Sequence, residues 1–164
     1  MTLAFTGTLP LKQKQTFKGA IVSDLANGDF VKTVVSSNTK LVKVSCKNDV
    51  ITFKAQKKAG TAKITITLAS GLTKNFKVKV QKAIVKTAKI TVASKKIKLK
   101  KKEKFDLETV IYPISSTQKV TYTTSNKKIA TVKNGVITAG KKAGTATITI
   151  KSGSKKVKVK VTVK

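Results

Sequence analysis

Six carboxylates and one thiol are the side chains of this sequence best suited to acid–base or nucleophilic chemistry: Asp24, Asp29, Asp49, Glu103, Asp106, Glu108 and Cys46. Three of the acids fall in the stretch EKFDLE, and in an extended chain Asp106 and Glu108 would share a strand face about 7 Å apart. Carboxyl groups so spaced could act as the acid and base of glycoside hydrolysis, or offer oxygens to a calcium ion. The neighbouring Lys100, Lys101, Lys102 and Lys104 give the simpler reading, local charge balance. There is no histidine, the commonest general base. Cys46 stands alone, so no intrachain disulfide can form, and between Val44 and Val50 it reads as a small, half-buried strand residue. No phosphate-binding glycine loop, nucleophile elbow or zinc spacing is present. The expectation is a chain that is not an enzyme and that holds no metal and no cofactor.

What remains is electrostatics. The chain has 36 basic residues, every one a lysine, against 6 acids, for a formal net charge of +30. A small domain needs a net charge of only about 2 to 8 for solubility, so the excess implies attraction to polyanions. It is spread along the chain, with 15 lysines in residues 1–82 and 21 in residues 83–164. Nucleic acid would bind only non-specifically. Arginine, the usual reader of guanine, is absent, and the few aromatics sit in apolar strand positions rather than forming stacking platforms. The competing explanation is that lysines on strand edges keep sheets from aggregating.

A hydrophobic share of 40% allows a packed core. No apolar run is long enough to span a membrane as a helix, so membrane insertion is not expected. The opening MTLAFTGTLP lacks a basic and then apolar leader, and the chain reads as a monomeric fragment of a larger protein.

The chain repeats itself. KKAGTAKITI begins at Lys57 and KKAGTATITI at Lys141. Earlier positions align at an offset of 88: Leu9 with Ile97, Phe17 with Phe105, Leu41 with Ile129. The offset shrinks by two at CKND against KNG, and by two again before the decapeptides, which suggests loops that differ in length. Two units follow, residues 1–82 and 83–164, joined near Gln81–Thr87 by a linker that is short, lacks glycine and should flex little. Within each unit the pattern has period two, as in VKVKVTV at Val157–Val163, KIKLK at Lys96–Lys100 and FKVKV at Phe76–Val80. Such alternation predicts strands with one buried and one wet face. Asn134-Gly135 between Val132 and Val136 predicts a two-residue hairpin. The fold class expected from this pattern is all-β, two tandem antiparallel β-sandwiches.

The second unit resembles the bacterial immunoglobulin-like domain of group 2, the Big_2 type. The residues that carry the resemblance are Ile97-Lys98-Leu99, ETVIYP ending at Pro113, VTYTTSN at Val120–Asn126 and IATVKNGVITAGKKAGTATITI at Ile129–Ile150. Tyr122 replaces the tryptophan usual there. The first unit is more divergent, with Val34 at the aromatic position and Leu25 at the proline position, but keeps Ser37-Asn38, VITFKA and KKAGTA. The resemblance implies that the fold is all-β, two tandem immunoglobulin-like antiparallel β-sandwiches, and that the chain is a non-catalytic module of a bacterial cell-surface or secreted protein, located outside the cell or on the wall. Such a module would act as a stalk or in adhesion. Alternatives are a carbohydrate-binding accessory module of a polysaccharide-degrading enzyme, or a decoration domain of a phage virion.

In the resembled fold the strand Ile97–Leu99 runs beside the last strand. Lys96, Lys98 and Lys100 would then face outward next to Lys156, Lys158 and Lys160. The counterpart ridge in the first unit would be Lys12, Lys14, Lys77 and Lys79. Like charges on neighbouring strands are destabilising, so such ridges hold either counter-ions or a polyanionic partner, for which an anionic polysaccharide or a teichoic acid is the candidate.

Overall fold

The computed structural model describes residues 1–19 and 22–164. All regular structure among them is β-strand. The chain divides into two compact units, Met1–Val85 with Pro113–Ser116, and Lys86–Tyr112 with Thr117–Lys164.

The first unit runs β1 (Thr2–Leu3), β2 (Thr8–Lys12), β3 (Thr16–Gly19), β4 (Val22–Ser23), β5 (Val31–Ser36), β6 (Val42–Lys47), β7 (Val50–Ala55), β8 (Gly60–Leu68) and β9 (Thr73–Gln81). The second runs β10 (Lys89–Thr91), β11 (Lys96–Leu99), β12 (Lys104–Asp106), β13 (Val110–Tyr112), β14 (Val120–Thr124), β15 (Ala130–Lys133), β16 (Val136–Ala139), β17 (Gly144–Ser152) and β18 (Lys155–Val163). The sheets of the first unit are β2-β9-β8-β5, β3-β7-β6 and the short pair β1-β4. Those of the second are β11-β18-β17-β14, β12-β16-β15 and β10-β13. Each sheet of one unit therefore has its counterpart, nine strands later, in the other.

Period-two sequences make this arrangement. Along β18 Val159, Val161 and Val163 are buried while Lys156, Lys158 and Lys160 are exposed. Along β9 Phe76, Val78 and Val80 are buried between exposed Lys77 and Lys79. The first unit closes around Leu9, Ile51, Phe53, Ile64 and Ile66, the second around Leu107, Ile137, Ile148, Ile150 and Val161. Burying each such side chain is worth about 1.5–3 kcal/mol. Phe53 and Phe76 meet edge to face at 6.0 Å and Phe5 caps Phe76 at 5.1 Å, so the first core is partly aromatic. In the second unit the buried hydroxyls of Thr87 and Ser152 lie 2.7 Å apart, and the Thr87 N–H donates to Gln118 Oε1, also at 2.7 Å. These bonds fasten the leading segment to the end of β17 and to the loop before β14.

The expected all-β sandwich fold is the one observed, and the structure refines it in two respects. It is not antiparallel throughout: β2 pairs with β9, and β11 with β18, in parallel. The differing offsets also reside in strands, not loops. The hairpin of β6 and β7 pairs six residues on each strand, that of β15 and β16 four, and both turn through two residues. Adding two residues to each arm of a hairpin keeps every side chain on its own face, because the pleat repeats every two. Asn48 and Asp49 (φ 48° and 57°) and Asn134 and Gly135 (φ 50° and 89°) make these turns left-handed, as a hairpin requires.

The repeated decapeptide has a local cause. Gly60 and Gly144, at φ 153° and 144°, begin β8 and β17, and a Cβ there would stand 2.9 Å from Leu41 Cδ1 and 3.0 Å from Ile129 Cδ1. Both units need a residue without a side chain at this point, where an aliphatic group closes over the strand.

Candidate functional site

Eight of the ten lysines predicted as ridges lie on the outer faces of the four-stranded sheets, in a register that the sequence did not disclose, and two, Lys14 and Lys100, do not. In the second unit Lys96 stands opposite Lys160, but Lys98 is opposite Thr162. Lys158 and Lys156 lie beside Thr149 and Lys151 of β17, upstream of the stretch of β18 that β11 pairs with. Lys100 falls beyond the end of β11, in a turn where its N–H donates to Glu103 Oε2 at 2.6 Å. In the first unit Lys77 lies between Thr8 and Lys63, and Lys79 between Pro10 and Thr61. Lys12 is opposite Gln81. Lys14 is a turn residue at φ 64° and belongs to no strand face.

Two further lysines, outside the predicted ridges, stand on these faces. Lys151 and Lys63 sit on β17 and β8, directly opposite Lys156 and Lys77. The signal was present: in GTATITIKS, Lys151 shares its parity with Thr145, Thr147 and Thr149, so the alternation already assigned it outward. The outer face of the second sheet thus carries Lys96, Lys98, Lys151, Lys156, Lys158 and Lys160, and its remaining outward positions are threonine: Thr121, Thr123, Thr145, Thr147, Thr149 and Thr162. No acid and no aromatic stands on it. Each directly opposed lysine pair costs a few tenths of a kcal/mol.

Four of the six carboxylates, Asp29, Asp49, Glu103 and Asp106, accept from backbone N–H groups. Glu103 caps the turn after β11, as Gln15 Oε1 does in the first unit by accepting from the Lys12 N–H at 2.8 Å. Asp106 Oδ1 accepts from the Glu108 N–H at 2.9 Å, and Glu108 has φ 44°, so the two do not share a strand face as the spacing suggested. Glu103 and Asp106 thus both serve as turn caps beside the lysines whose charge they were expected to balance. Asp49 Oδ1 accepts from the Val31 N–H at 2.8 Å and so ties a hairpin turn to the start of β5. Asp29 accepts from Ser70 Oγ at 2.8 Å and from the Ser70 and Phe30 N–H groups. Desolvation works against its charge, but these hydrogen bonds outweigh it and hold the carboxyl below its ordinary value. Cys46 is half-buried against the first core, and burial, then the charge of Asp49, pushes its thiol up. Among the described residues no cluster of metal-ligating side chains forms, and no helix is long and apolar enough to cross a membrane.

A feature that sequence reasoning missed occurs in both units. Where the edge strands β14 and β15 face each other, Tyr122, Thr123, Thr124, Lys127, Thr131 and Val132 line a groove of about 370 Å³. The matching edges β5 and β6 form one of about 340 Å³ lined by Val34, Val35, Ser36, Thr39, Lys43 and Val44. Tyr122 gives the second groove an aromatic wall and a phenol that the first lacks.

Residues 85–163 match the family model of the bacterial Ig-like domain, group 2. The second unit belongs to this family. No curated protein matches the chain. Among solved structures, the chain is similar to domains 4 and 5 of the S-layer protein SbsC, at 27% identity over 80% of this chain and 69% of that one, TM-score 0.42. A longer SbsC structure, residues 31–844, is 28% identical over 80% of this chain and 20% of that one, TM-score 0.45. SbsC domains 5–6 are 21% identical over 99% of this chain and 96% of that one, TM-score 0.47. The chain thus spans about a fifth of the longer relative.

The Ig-like unit presents two chemically distinct surfaces. Its outer sheet face is a lattice of ammonium and hydroxyl donors, suited to anions. Its edge groove combines one aromatic ring with hydroxyls and one lysine.

Proposed function

We propose that the chain is a non-catalytic module of a bacterial surface or secreted protein, two Ig-like sandwiches that space other parts of that protein and hold anionic polymers of a wall or host surface. Membership of the second unit in the group 2 family supports the surface setting. The observation that carries the binding reading is the outer face of β11-β18-β17-β14, where six lysines and six threonines stand without one carboxylate. Lysine suits the task because it is a compact charge that makes no demand on ligand geometry.

Titration of the chain with a teichoic acid, heparin and a neutral glycan over a range of salt concentrations tests this. Binding to the anionic polymers alone, with affinity falling linearly in log salt, is the expected result. Absence of binding near physiological salt leaves the spacer role only. The groove at Tyr122 favours a second reading, an accessory module for a sugar; its signature is saturable, salt-insensitive binding of the neutral glycan.

A further inference from the structure

The charged face of the second unit has an order that net charge alone does not require. Along β18 the outward lysines are Lys156, Lys158 and Lys160, and each meets a different donor on β17: Lys151, Thr149 and Thr147 in turn. The rows extend to Thr121 and Thr123 on β14, and Lys96 extends the Lys160 row on the other side. Neighbouring strands lie about 4.8 Å apart, so an ammonium and a hydroxyl of one row can reach the same tetrahedral oxyanion. Threonine is stiff at χ1 and holds its hydroxyl in place, while the lysine stem adapts. Rows repeat every two residues, about 7 Å along the strand.

Resting on the polyanion reading above, we propose that this face binds a linear phosphodiester polymer of a small polyol, laid along β18 with one phosphate per row. A phosphodiester has two free oxygens, one for the ammonium and one for the hydroxyl. A three-carbon polyol between phosphates gives a repeat close to the row spacing, and it brings no bulky ring to a face that offers no aromatic platform. Nucleic acid has a similar phosphate spacing, but its bases would find nothing to stack on. The first unit does not repeat the pattern. Only the Lys63–Lys77 and Thr61–Lys79 rows of β8 and β9 carry charge, and the rows beyond are Thr65–Asn75 and Thr67–Thr73.

The test uses the full chain and poly(glycerol phosphate) as probe, with heparin and oligo-dT of matched charge as competitors. Replacing Lys156, Lys158 and Lys160 together by glutamine is expected to weaken binding at least tenfold and to reduce the salt slope by about three. Removing the same charge from the three-stranded sheet of the first unit, with Lys18→Gln, Lys43→Gln and Lys54→Gln, is expected to change affinity less than twofold. Thr147→Val with Thr149→Val keeps shape and charge, and is expected to weaken binding about threefold to tenfold with the slope unchanged. Thermal melts confirm folding, since the lysine substitutions relieve like-charge contacts. If neither wild type nor variant binds any anionic polymer, the polyanion reading fails and this inference with it. If wild type binds but the two lysine triples weaken it equally, or the valine pair has no effect, binding is diffuse and this inference alone fails. Equal competition by oligo-dT overturns the polyol assignment.

Discussion

On the outer face of the first unit, moving along the β8–β9 hairpin from Gly60, the rows read Thr61 with Lys79, Lys63 with Lys77, Thr65 with Asn75 and Thr67 with Thr73. On the second, from Gly144 along β17 and β18, they read Thr145 with Thr162, Thr147 with Lys160, Thr149 with Lys158 and Lys151 with Lys156. The scaffold positions correspond row for row, yet charge clusters near the glycine end in one unit and runs to the hairpin tip in the other. On the edge strands, the first face has Pro10 where the second has Lys98, and Val35, 58% exposed, where the second has Thr123. The fold accepts neutral or even apolar residues at these places. The lysines of the second face are therefore not a demand of the sandwich, and solubility alone does not account for their ordering.

The sharpest way to break the likeness of the two scaffolds is at Gly140. Its N–H donates to Ile129 O at 2.7 Å and its carbonyl accepts from the Lys102 N–H. Gln56 makes the same pair of bonds, donating to Leu41 O at 2.8 Å and accepting from the Lys14 N–H. The backbones differ all the same: a Cβ on Gly140 would lie 2.2 Å from Lys128 O, a backbone atom that cannot swing aside. Gly140→Ala is expected to destabilise the second unit by about 3 kcal/mol or more, and Gln56→Ala to cost the first unit less than about 1 kcal/mol. Denaturant melts of the two variants measure both. Similar losses in the two would mean that the close approach at Gly140 relaxes freely.

A smaller effect sharpens the electrostatic side of the comparison. Lys156→Glu places a carboxylate opposite Lys151, replacing repulsion by attraction on an exposed cross-strand pair. It is expected to raise the stability of the second unit by about 0.5–1 kcal/mol at low salt, with the gain fading as the Debye length shrinks to about 3 Å near 1 M salt. Thermal melts at low and high salt measure this. A loss of stability would show that the lysine pair is not under strain.

The sequence disclosed which residues face water and which face the core, because alternation has only two phases. It did not disclose register. A slide by two residues leaves every side chain on its own face, so the pattern of KIKLK and VKVKV is silent on whether Lys96 meets Lys156 or Lys160. That β11 lies beside β18 came through the family resemblance; that the pair runs parallel, and its residue-by-residue match, came only with the structure. The turn-capping acids were hidden for a related reason. Glu103 and Gln15 are spaced alike from Lys100 and Lys12, but that an acid and an amide do one job appears only once both turns are seen. The grooves were illegible because they form between edges of different sheets, from residues on two strands that do not pair. Lys63 and Lys151 were legible and needed only the alternation carried one step further along β8 and β17.

The gentlest probe concerns the hairpin tips. In the first unit Asp29 ties β5 to the β8–β9 turn through Ser70, whereas the corresponding turn of the second unit lies under the neutral side chain of Gln118, which crowds Gly153. Asp29 is held below its ordinary value, so the folded state favours its charged form. The stability it adds is then complete above the carboxyl's unfolded value, near 4, and is lost as pH falls through the lower folded value. Amide exchange at Ser70 is expected to quicken as pH drops from about 5 to about 2, relative to the intrinsic exchange rate, while the turn at Gly153 keeps its protection. Asp29→Asn should abolish the difference, since an amide can still accept one of these hydrogen bonds but carries no charge to lose. If both turns loosen together in the wild type, the acid sensitivity belongs to the whole chain and its +30 charge, not to the Asp29 clasp.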